Sequence, residues 1–291
     1  MSFALGPGIA VERGGGLPWR GMHHVNHVLL ALGLLGLTAW AQPAVSPLPN
    51  THAHNDYEHT HPLFDALAQG FCSVEADIYL IDGKLLVAHE RREVRPERTL
   101  EALYLDPLRA QVRAHGGRLY PGGPDCYLLI DVKTAAEPTY RVLRDVLARY
   151  KEMLTRFTPT STETNAITVV ISGNRARQMM ASEAVRYAAV DGRLPDLAGS
   201  TNAHLIPWIS DNWSLHFTWR GWQQMPTDQQ AELRRIVDQA HAQGRKVRFW
   251  GGPDIPALWS VELAAGVDFI NTDKLAELRQ FLLAAHRPDP H

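Results

Sequence analysis

The stretch Ser73–Glu90, SVEADIYLIDGKLLVAHE, decides the fold and shows where chemistry should lie. Its two apolar runs are separated by Asp-Gly at 82–83, a dipeptide that favours the two-residue turn of a β-hairpin. Glu75 and Asp77 are two residues apart, so on a strand their side chains share one face. Burying this carboxylate pair is costly unless a cation or hydrogen bonds compensate. The stretch therefore predicts a buried strand, a hairpin arm ending at His89, and a polar site near them.

The rest of the chain alternates short β-rich runs with amphipathic stretches of helical period. This alternation is typical of βα units, and residues 42–291 have the length of about 250 residues usual for a (β/α)8 barrel. We therefore predict an α/β fold, a single-domain (β/α)8 TIM barrel over 42–291 with a small hairpin after the second strand. The predicted strands lie near 50–54, 72–79, 126–133, 167–172, 185–190, 205–210, 246–250 and 267–271. The clearer predicted helices are 62–69, 99–114, 137–156, 174–182, 227–243 and 274–285.

Residues 1–41 have the features of an N-terminal extension with an export signal. The apolar run VLLALGLLGLT at 28–38 is short for a membrane span, and AWA at 39–41 fits a signal-peptidase site. We predict an exported (periplasmic or secreted) mature chain without a stable transmembrane segment. Two alternatives stay open: a buried core helix for this run, and a start at Met22 instead of Met1.

Charge and cysteine content narrow the function classes. The formal net charge of −2 provides no bulk basic field for nucleic acid or an anionic membrane, so local groups must bind any anionic substrate. Because export permits disulfides, Cys72 and Cys126 are either a bridged pair or two free buried thiols.

A second acidic strand extends the candidate site. In LLIDVKT, Asp131 and Lys133 share a face at the end of an apolar strand, as Glu75 and Asp77 do on theirs. Three carboxylates suit a hard cation, Mg²⁺ or Ca²⁺, better than zinc, which prefers nitrogen and sulfur. We therefore predict one divalent cation bound by Glu75, Asp77 and Asp131. The alternative for the second strand is a salt bridge between Asp131 and Lys133.

Histidines flank these acids at the predicted strand ends. His52 and His54 share a face of the first strand, and His89 closes the hairpin arm. Histidine is the side chain most easily tuned for proton transfer near neutral pH. His54 and His89 are therefore candidates for acid–base catalysis.

The order of these motifs resembles the superfamily of glycerophosphodiester phosphodiesterases and phosphatidylinositol-phospholipase-C-like enzymes. Within it, the motifs look closest to the sphingomyelinase D type phospholipases of spider venom. The matching motifs are HND at 54–56, the stretch 67–90, LLIDVK at 128–133, VRFWGG at 247–252 and INTD at 270–273. The resemblance covers nearly all of 42–291 and implies a (β/α)8 barrel, a divalent metal ion and two histidines that act on a phosphodiester.

By motif position, the resemblance assigns His54 and His89 as the first and second catalytic histidines. His54 is preferred to His52 because its distance along the chain to Glu75 fits the venom type. The paired metal ligands match Glu75 and Asp77. The third metal ligand, aspartate in the venom type, matches position 131.

Further positions concern the substrate. Lys133 matches the phosphate-facing lysine and is assigned to catalysis, and Trp250 matches the aromatic residue that ends the seventh strand. Arg175, directly after the fourth strand, is a further phosphate-contact candidate, with a solvated helix-start arginine as the alternative. Asn55 departs from the His-Arg-Gly pattern of the glycerophosphodiesterases, so one bidentate phosphate contact is missing there.

The predicted function is a metal-dependent phosphodiesterase, phospholipase-like, acting on a lipid-derived or glycerol-type substrate by His/His acid–base catalysis. Hydrolysis and formation of a cyclic phosphate are both open. Two alternatives are an amidohydrolase that uses His52 and His54 with Asp273, and an exported barrel that binds a phosphate ligand without turnover. The first needs further histidines on the middle strands, where the sequence has none, and the second leaves His54 and His89 without a task.

Overall fold

The computed structural model describes residues 45–285. The predicted signal peptide over 1–41, with the choice between Met1 and Met22, lies outside the described residues. Export and the domain boundary at 42 therefore stay predictions. In the described part of the chain, no helix is both long and apolar enough to cross a bilayer.

Eight parallel strands form the predicted barrel. They are β1 Thr51–Ala53, β2 Ser73–Ile81, β3 Cys126–Val132, β4 Ile167–Gly173, β5 Ala189–Gly192, β6 Trp208–Asn212, β7 Lys246–Trp250 and β8 Ile270–Thr272. Hydrogen-bonded neighbours run in the order β7-β6-β5-β4-β3-β2-β1-β8. A parallel bridge between Arg248 and Phe269 brings β7 beside β8, so the sheet nearly closes. The predicted fold class is confirmed.

Every strand except β5 is followed by at least one α-helix, and β5 is followed by the 3-10 helix Leu194–Ala198. The α-helices are α1 Phe64–Ala68, α2 Asp106–Ala114, α3 Ala136–Ala148, α4 Arg177–Ser182, α5 Trp213–His216, α6 Thr227–Ala242, α7 Pro256–Ala265 and α8 Leu275–Ala285. In α6 the side chains of Leu233, Ile236, Val237 and Ala240 are buried, which is the apolar face expected from their spacing.

The predicted hairpin follows β2 directly. Its arm Lys84–Val87 pairs antiparallel with β2, and Ile81 lies opposite Lys84, so the turn has two residues. Asp82 and Gly83 both have positive φ, as a type I′ turn requires. Beyond the arm, the N–H of Ala88 donates to the carbonyl of Asp77 at 3.2 Å. The hairpin therefore brings the next residue, His89, back beside Asp77 in the middle of β2.

Three strands begin three or four residues later than the sequence predicts: β5, β6 and β8, the last of which begins at Ile270 instead of 267. β5 begins at Ala189 because Arg186 pairs with Phe157, part of a small hairpin outside the barrel sheet. β6 begins at Trp208, since Pro207 has no N–H to donate to the ladder. β5 and β6 also end two residues later than predicted, at Gly192 and Asn212.

The inward faces of the strands change from apolar to polar toward their C-terminal ends. A separate buried cluster is formed by Leu129, Val170, Trp208 and Phe269. Two positions further along the chain from these are Asp131, Ser172, Ser210 and Asn271. Because residues two apart share a strand face, the apolar layer is the floor of a polar layer at the C-terminal end.

The two cysteines lie in the outer core, away from this polar layer. Both are free and buried, and the N–H of Tyr127 donates to the carbonyl of Cys72 at 2.7 Å, so the thiol-bearing residues are neighbours. A hydrogen bond with Cys72 and burial raise the pKa of the Cys126 thiol. Of the two arrangements left open by the sequence, the structure contains the free thiols.

Candidate active site

Three carboxylates meet at the C-terminal ends of β2 and β3. Asp77 lies opposite Asp131 in the parallel register, and Glu75 precedes Asp77 by two residues on the same face. One oxygen from each carboxylate lies within 4.8 Å of the others. Glu75 and Asp77 are buried, with 7% and 1% of their surface exposed. The structure therefore brings the three predicted metal ligands together.

Basic groups offset part of this negative charge. Nζ of Lys133 is 2.9 Å from Oδ2 of Asp77 and also contacts Asp131. Nη2 of Arg248 is 3.0 Å from Oε2 of Glu75. Burial favours a higher pKa for Glu75, but the charge of Arg248 and a histidine hydrogen bond outweigh it and hold that pKa below its usual range. Burial and the charge of Glu75 raise the pKa of Asp77 to about 6, against the effect of Lys133.

Two buried oxygens of the carboxylate cluster have no hydrogen-bond partner among the described residues. Oδ1 of Asp77 and Oδ1 of Asp131 are both buried without one. An unsatisfied buried carboxylate oxygen is costly, and coordination to a cation would satisfy it. The ligand atoms of the cluster, completed by Glu75, are all carboxylate oxygens, which Mg²⁺ and Ca²⁺ prefer. The residues therefore fit a hard divalent cation.

Gly173, the last residue of β4, packs directly against this cluster. Its φ is +65°, and a Cβ there would lie 2.0 Å from Oδ1 of Asp131 and 2.5 Å from the carbonyl oxygen of Val132. Both the backbone conformation and the close approach require glycine. Because glycine has no side chain, the Asp131 carboxylate can occupy the space beside it.

The two candidate catalytic histidines are each held through Nδ1. Nδ1 of His54 is 2.8 Å from Oδ1 of Asp273, and Nδ1 of His89 is 2.9 Å from the hydroxyl of Tyr57. That hydroxyl donates to Oδ2 of Asp77 at 2.6 Å. Burial favours a lower pKa for His54, but the hydrogen bond to Asp273 and the negative charges of Glu75 and Asp273 together outweigh it, so the pKa is raised. Within residues 45–285 neither Nε2 has a protein partner, so both are available to a ligand.

These groups line one cavity of about 350 Å³. The lining includes most of the predicted site residues, namely His54, Asn55, Glu75, Asp77, His89, Asp131, Lys133 and Trp250. Asn55 has a left-handed φ of 49°, which asparagine adopts more readily than most residues. Arg175 is not part of the lining, because its Nη1 donates to the carbonyl oxygen of Asp191 at 2.5 Å. The roles predicted for these residues stay predictions.

Sequence reasoning missed two arginines that line the cavity, Arg193 and Arg248. Arg248 is two residues before Trp250 on β7, and residues two apart on a strand share a face. The strand periodicity that placed the acids on one face therefore also predicts Arg248 on the cavity side. Arg193 follows the true end of β5, and the early end predicted for that strand hid it.

His52 lies beneath the carboxylate cluster and is fully buried. Its Nε2 is 3.1 Å from Oε2 of Glu75, and its Nδ1 is 2.7 Å from the hydroxyl oxygen of Ser73. Burial and the charge of Arg248 lower the pKa of His52 to about 3, so the ring is neutral. Since both ring nitrogens are engaged, His52 orients Glu75. The carboxylate cluster found in the described residues contains no histidine, unlike the amidohydrolase alternative.

Comparisons with known proteins find similarity to phosphodiesterase domains. A family model described as an AIM6-like phosphodiesterase domain matches residues 42–117. A second, described as the glycerophosphoryl diester phosphodiesterase family, matches residues 246–276. These matches confirm the resemblance predicted from the sequence.

Two related sequences and one solved structure are 14–29% identical to this chain. Altered inheritance of mitochondria protein 6 of Eremothecium gossypii is 29% identical over 278 residues, covering 81% of this chain and 70% of that protein. Its homolog from Arthroderma benhamiae is 28% identical over 260 residues, covering 79% of this chain and 82% of that protein. A glycerophosphodiester phosphodiesterase from Parabacteroides distasonis aligns with a TM-score of 0.50 at 14% identity, covering 83% of this chain and 100% of that one. The last similarity shows the fold alone.

Proposed function

We propose that this chain is a metal-dependent phosphodiesterase that cleaves a lipid-derived or glycerol-type phosphodiester by acid–base catalysis with two histidines. The observation that carries the proposal is a single cavity with two contrasting features. It presents buried, unpartnered oxygens on Asp77 and Asp131, and it presents the unengaged Nε2 atoms of His54 and His89. The first feature suits a hard cation, and the second suits proton transfer.

Glu75, Asp77 and Asp131 would hold the cation, which when bound supplies Lewis-acid polarisation of a phosphoryl oxygen. Lys133 lies beside Asp77 and Asp131, so its ammonium offsets carboxylate charge that would repel an anionic substrate. The same ammonium is placed to stabilise negative charge that develops on the phosphoryl group.

The histidines have complementary tasks in this proposal. His54 takes the proton of the attacking hydroxyl through Nε2, or attacks phosphorus with that atom. Asp273, 2.8 Å from Nδ1, stabilises the positive charge that His54 then carries. His89, held by Tyr57, gives a proton to the departing alcohol oxygen. Water as the attacking group gives hydrolysis, and a hydroxyl of the substrate itself gives a cyclic phosphate.

The cavity wall supports this substrate class. Trp250 supplies an aromatic surface, and Asn55 supplies a neutral amide where the glycerophosphodiesterase pattern has a charged guanidinium. An apolar or amide-bearing leaving group suits these neighbours better than a second anionic group. Export directed by residues 1–41 is part of the proposal and would give the enzyme access to extracytoplasmic lipids.

The test is turnover by the full-length chain on glycerophosphodiesters, lysophospholipids and sphingomyelin, with Mg²⁺, with Ca²⁺ and with a chelator. We expect turnover that the chelator abolishes and that His54→Ala and His89→Ala each reduce by about 10²- to 10⁴-fold. His61→Ala is the matched control, because His61 also pairs with an aspartate but is exposed and outside the cavity lining. Mass spectrometry of the product distinguishes a linear from a cyclic phosphate.

Two results would count against the proposal. Cleavage of an amide or lactone without cleavage of any phosphodiester would overturn the reaction class. Turnover that survives both histidine substitutions would overturn the histidine roles while leaving the class in place.

A further inference from the structure

Arg193 lies across the barrel from the position where the glycerophosphodiesterase pattern has its arginine. Asn55 follows β1 and Arg193 follows β5, and the strand order puts β1 and β5 four strands apart in either direction. The Arg193 side chain is 26% exposed and lines the same cavity as the carboxylate cluster. A guanidinium is therefore present in the cavity, on the opposite wall.

The hydrogen bonds of Arg193 leave one edge of its guanidinium open. Nη1 donates to Oδ2 of Asp191 at 2.6 Å and to the carbonyl of Gly192 at 2.8 Å, with a longer contact of 3.5 Å to Ser210. Nη2 has one long contact, 3.3 Å to the hydroxyl of Ser172. Nε has no acceptor among residues 45–285. The Nε–Nη2 edge is the side of a guanidinium that binds two oxygens of a phosphate at once.

The other basic side chains at the site are already engaged. Arg248 is 3% exposed and donates through Nε and Nη2 to Asn271 and Glu75. Lys133 contacts two carboxylates. Arg175 points at a backbone carbonyl outside the cavity lining. Arg248 has both Nε and Nη2 engaged and keeps only Nη1 without an acceptor among the described residues, so of the two cavity guanidiniums Arg193 is the one with an open Nε–Nη2 edge.

Asp191 fixes the direction of this guanidinium. It is fully buried and accepts hydrogen bonds from Ser172 at 2.8 Å and from Ser210 at 2.7 Å, in addition to Arg193. Ser172 is the register partner of Asp131, so the anchored end of Arg193 lies over the strand beside the carboxylate cluster. An arginine held in this way is ordered before a ligand arrives, which reduces the entropy that binding must overcome.

We propose that Arg193 binds the non-bridging oxygens of the substrate's phosphoryl group through its Nε–Nη2 edge, and so supplies from β5 the guanidinium that position 55 lacks. This inference rests on the proposed function, which defines the ligand as a phosphodiester. It assigns the phosphoryl group an orientation toward β5 and leaves the β1 wall, with its neutral amide, to the alcohol part of the substrate.

Binding of inorganic phosphate to the full-length chain in the presence of Mg²⁺, measured by calorimetry, tests this inference without requiring turnover. Arg193→Lys keeps a positive charge for Asp191 but lacks the two-donor edge. We expect it to raise the Kd for phosphate about tenfold or more and to leave the Kd for Mg²⁺ unchanged. Arg177→Lys is the matched control, because Arg177 pairs with Asp196 at 2.7 Å, a distance like that of Arg193 to Asp191, outside the cavity lining.

A double variant guards against simple misfolding. Arg193→Gln alone would leave the Asp191 charge buried without its cation, whereas Asp191→Asn with Arg193→Gln removes both charges together. We expect this double variant to fold, to bind Mg²⁺ and to lose phosphate affinity. Loss of Mg²⁺ and phosphate affinity together would show a structural role for Arg193 and overturn the inference.

The remaining outcomes separate the inference from the proposed function. Phosphodiester turnover by the parent chain, combined with unchanged phosphate affinity in Arg193→Lys, would overturn the role of Arg193 and leave the function standing. A parent chain that binds phosphate through Arg193 yet cleaves no phosphodiester would overturn the function and support the subsite.

Discussion

Replacing Gly173 by alanine should weaken cation binding by displacing Asp131, a predicted metal ligand. The added Cβ would lie 2.0 Å from Oδ1 of Asp131, whereas real contacts of a Cβ almost never fall below 3.0 Å. The carboxylate must therefore move by about 1 Å, which exceeds the roughly 0.5 Å tolerance of a preorganised site. Because the Cβ would also lie 2.5 Å from the carbonyl of Val132, the β3 backbone must move as well.

Gly116→Ala provides the matched control. Gly116 has a φ of +69°, close to the +65° of Gly173, but a Cβ there would meet nothing within 4 Å. Both variants incur about 1–2 kcal/mol of left-handed backbone strain. Overpacking adds about 1–3 kcal/mol at Gly173 alone. The difference between the two variants therefore isolates the close approach to Asp131.

The assay has two parts. Urea denaturation with a chelator gives the free energy of unfolding, and calorimetric titration with Mg²⁺ and Ca²⁺ gives the affinity. We expect Gly173→Ala to be the less stable variant and to bind the cation at least about tenfold more weakly than the parent, while Gly116→Ala binds it normally. Cation affinity in Gly173→Ala equal to that of the parent would refute this account of the close packing.

Three further predictions concern single groups. Asp273→Asn should lower kcat/KM about a hundredfold. It should also shift the acidic limb of the pH–rate profile to lower pH, because the pKa of His54 falls without the aspartate. An acidic limb that does not move would contradict the pairing of His54 with Asp273. Burial raises the pKa of Asp56 to about 6, so its folded pKa exceeds the usual value and its stabilising contribution, present below about pH 4, is lost as pH rises through 6. Asp56→Asn should therefore remove about 3 kcal/mol of pH dependence from the unfolding free energy measured by urea between about pH 4 and 7, and an unchanged slope would contradict this. Because Cys72 and Cys126 are buried free thiols, neither should react with a thiol reagent in the folded protein, and both should react after denaturation without reductant. Thiols that stay unreactive after denaturation would indicate a disulfide.

Much of the fold was predictable because its signals are local. Alternation of apolar and polar residues fixes which side chains share a strand face, so the eight strands and the inward direction of Asp131 follow from short stretches of sequence. The Asp-Gly turn at 82–83 is equally local. The start of β5 was not predictable in this way, because Arg186 pairs with Phe157, 29 positions earlier in the chain. That pairing depends on a hairpin outside the barrel.

In the candidate site, too, the residues on regular strands were predictable and those fixed by tertiary contacts were not. Glu75, Asp77 and Asp131 lie on regular strands, and strand periodicity was enough to bring them together. Arg175 and Arg193 each come shortly after a glycine that ends a strand, so their local sequences do not distinguish them. The difference is tertiary, because Arg175 donates to a backbone carbonyl while Arg193 meets a carboxylate and keeps an open edge.

Both arginines contact the same residue, Asp191, and this explains why one reaches the cavity and the other does not. Its carbonyl oxygen accepts from Arg175 and its carboxylate accepts from Arg193, so the two groups leave β5 in different directions. A buried carboxylate needs a cationic partner, and the serine hydroxyls beside it do not provide one. Arg193 therefore lies at the cavity edge to satisfy Asp191, and the same position leaves its remaining donors open to the cavity. The buried charge of Asp191 thus orders Arg193 on the cavity wall opposite Asn55. The cavity therefore contains a guanidinium although position 55 is asparagine.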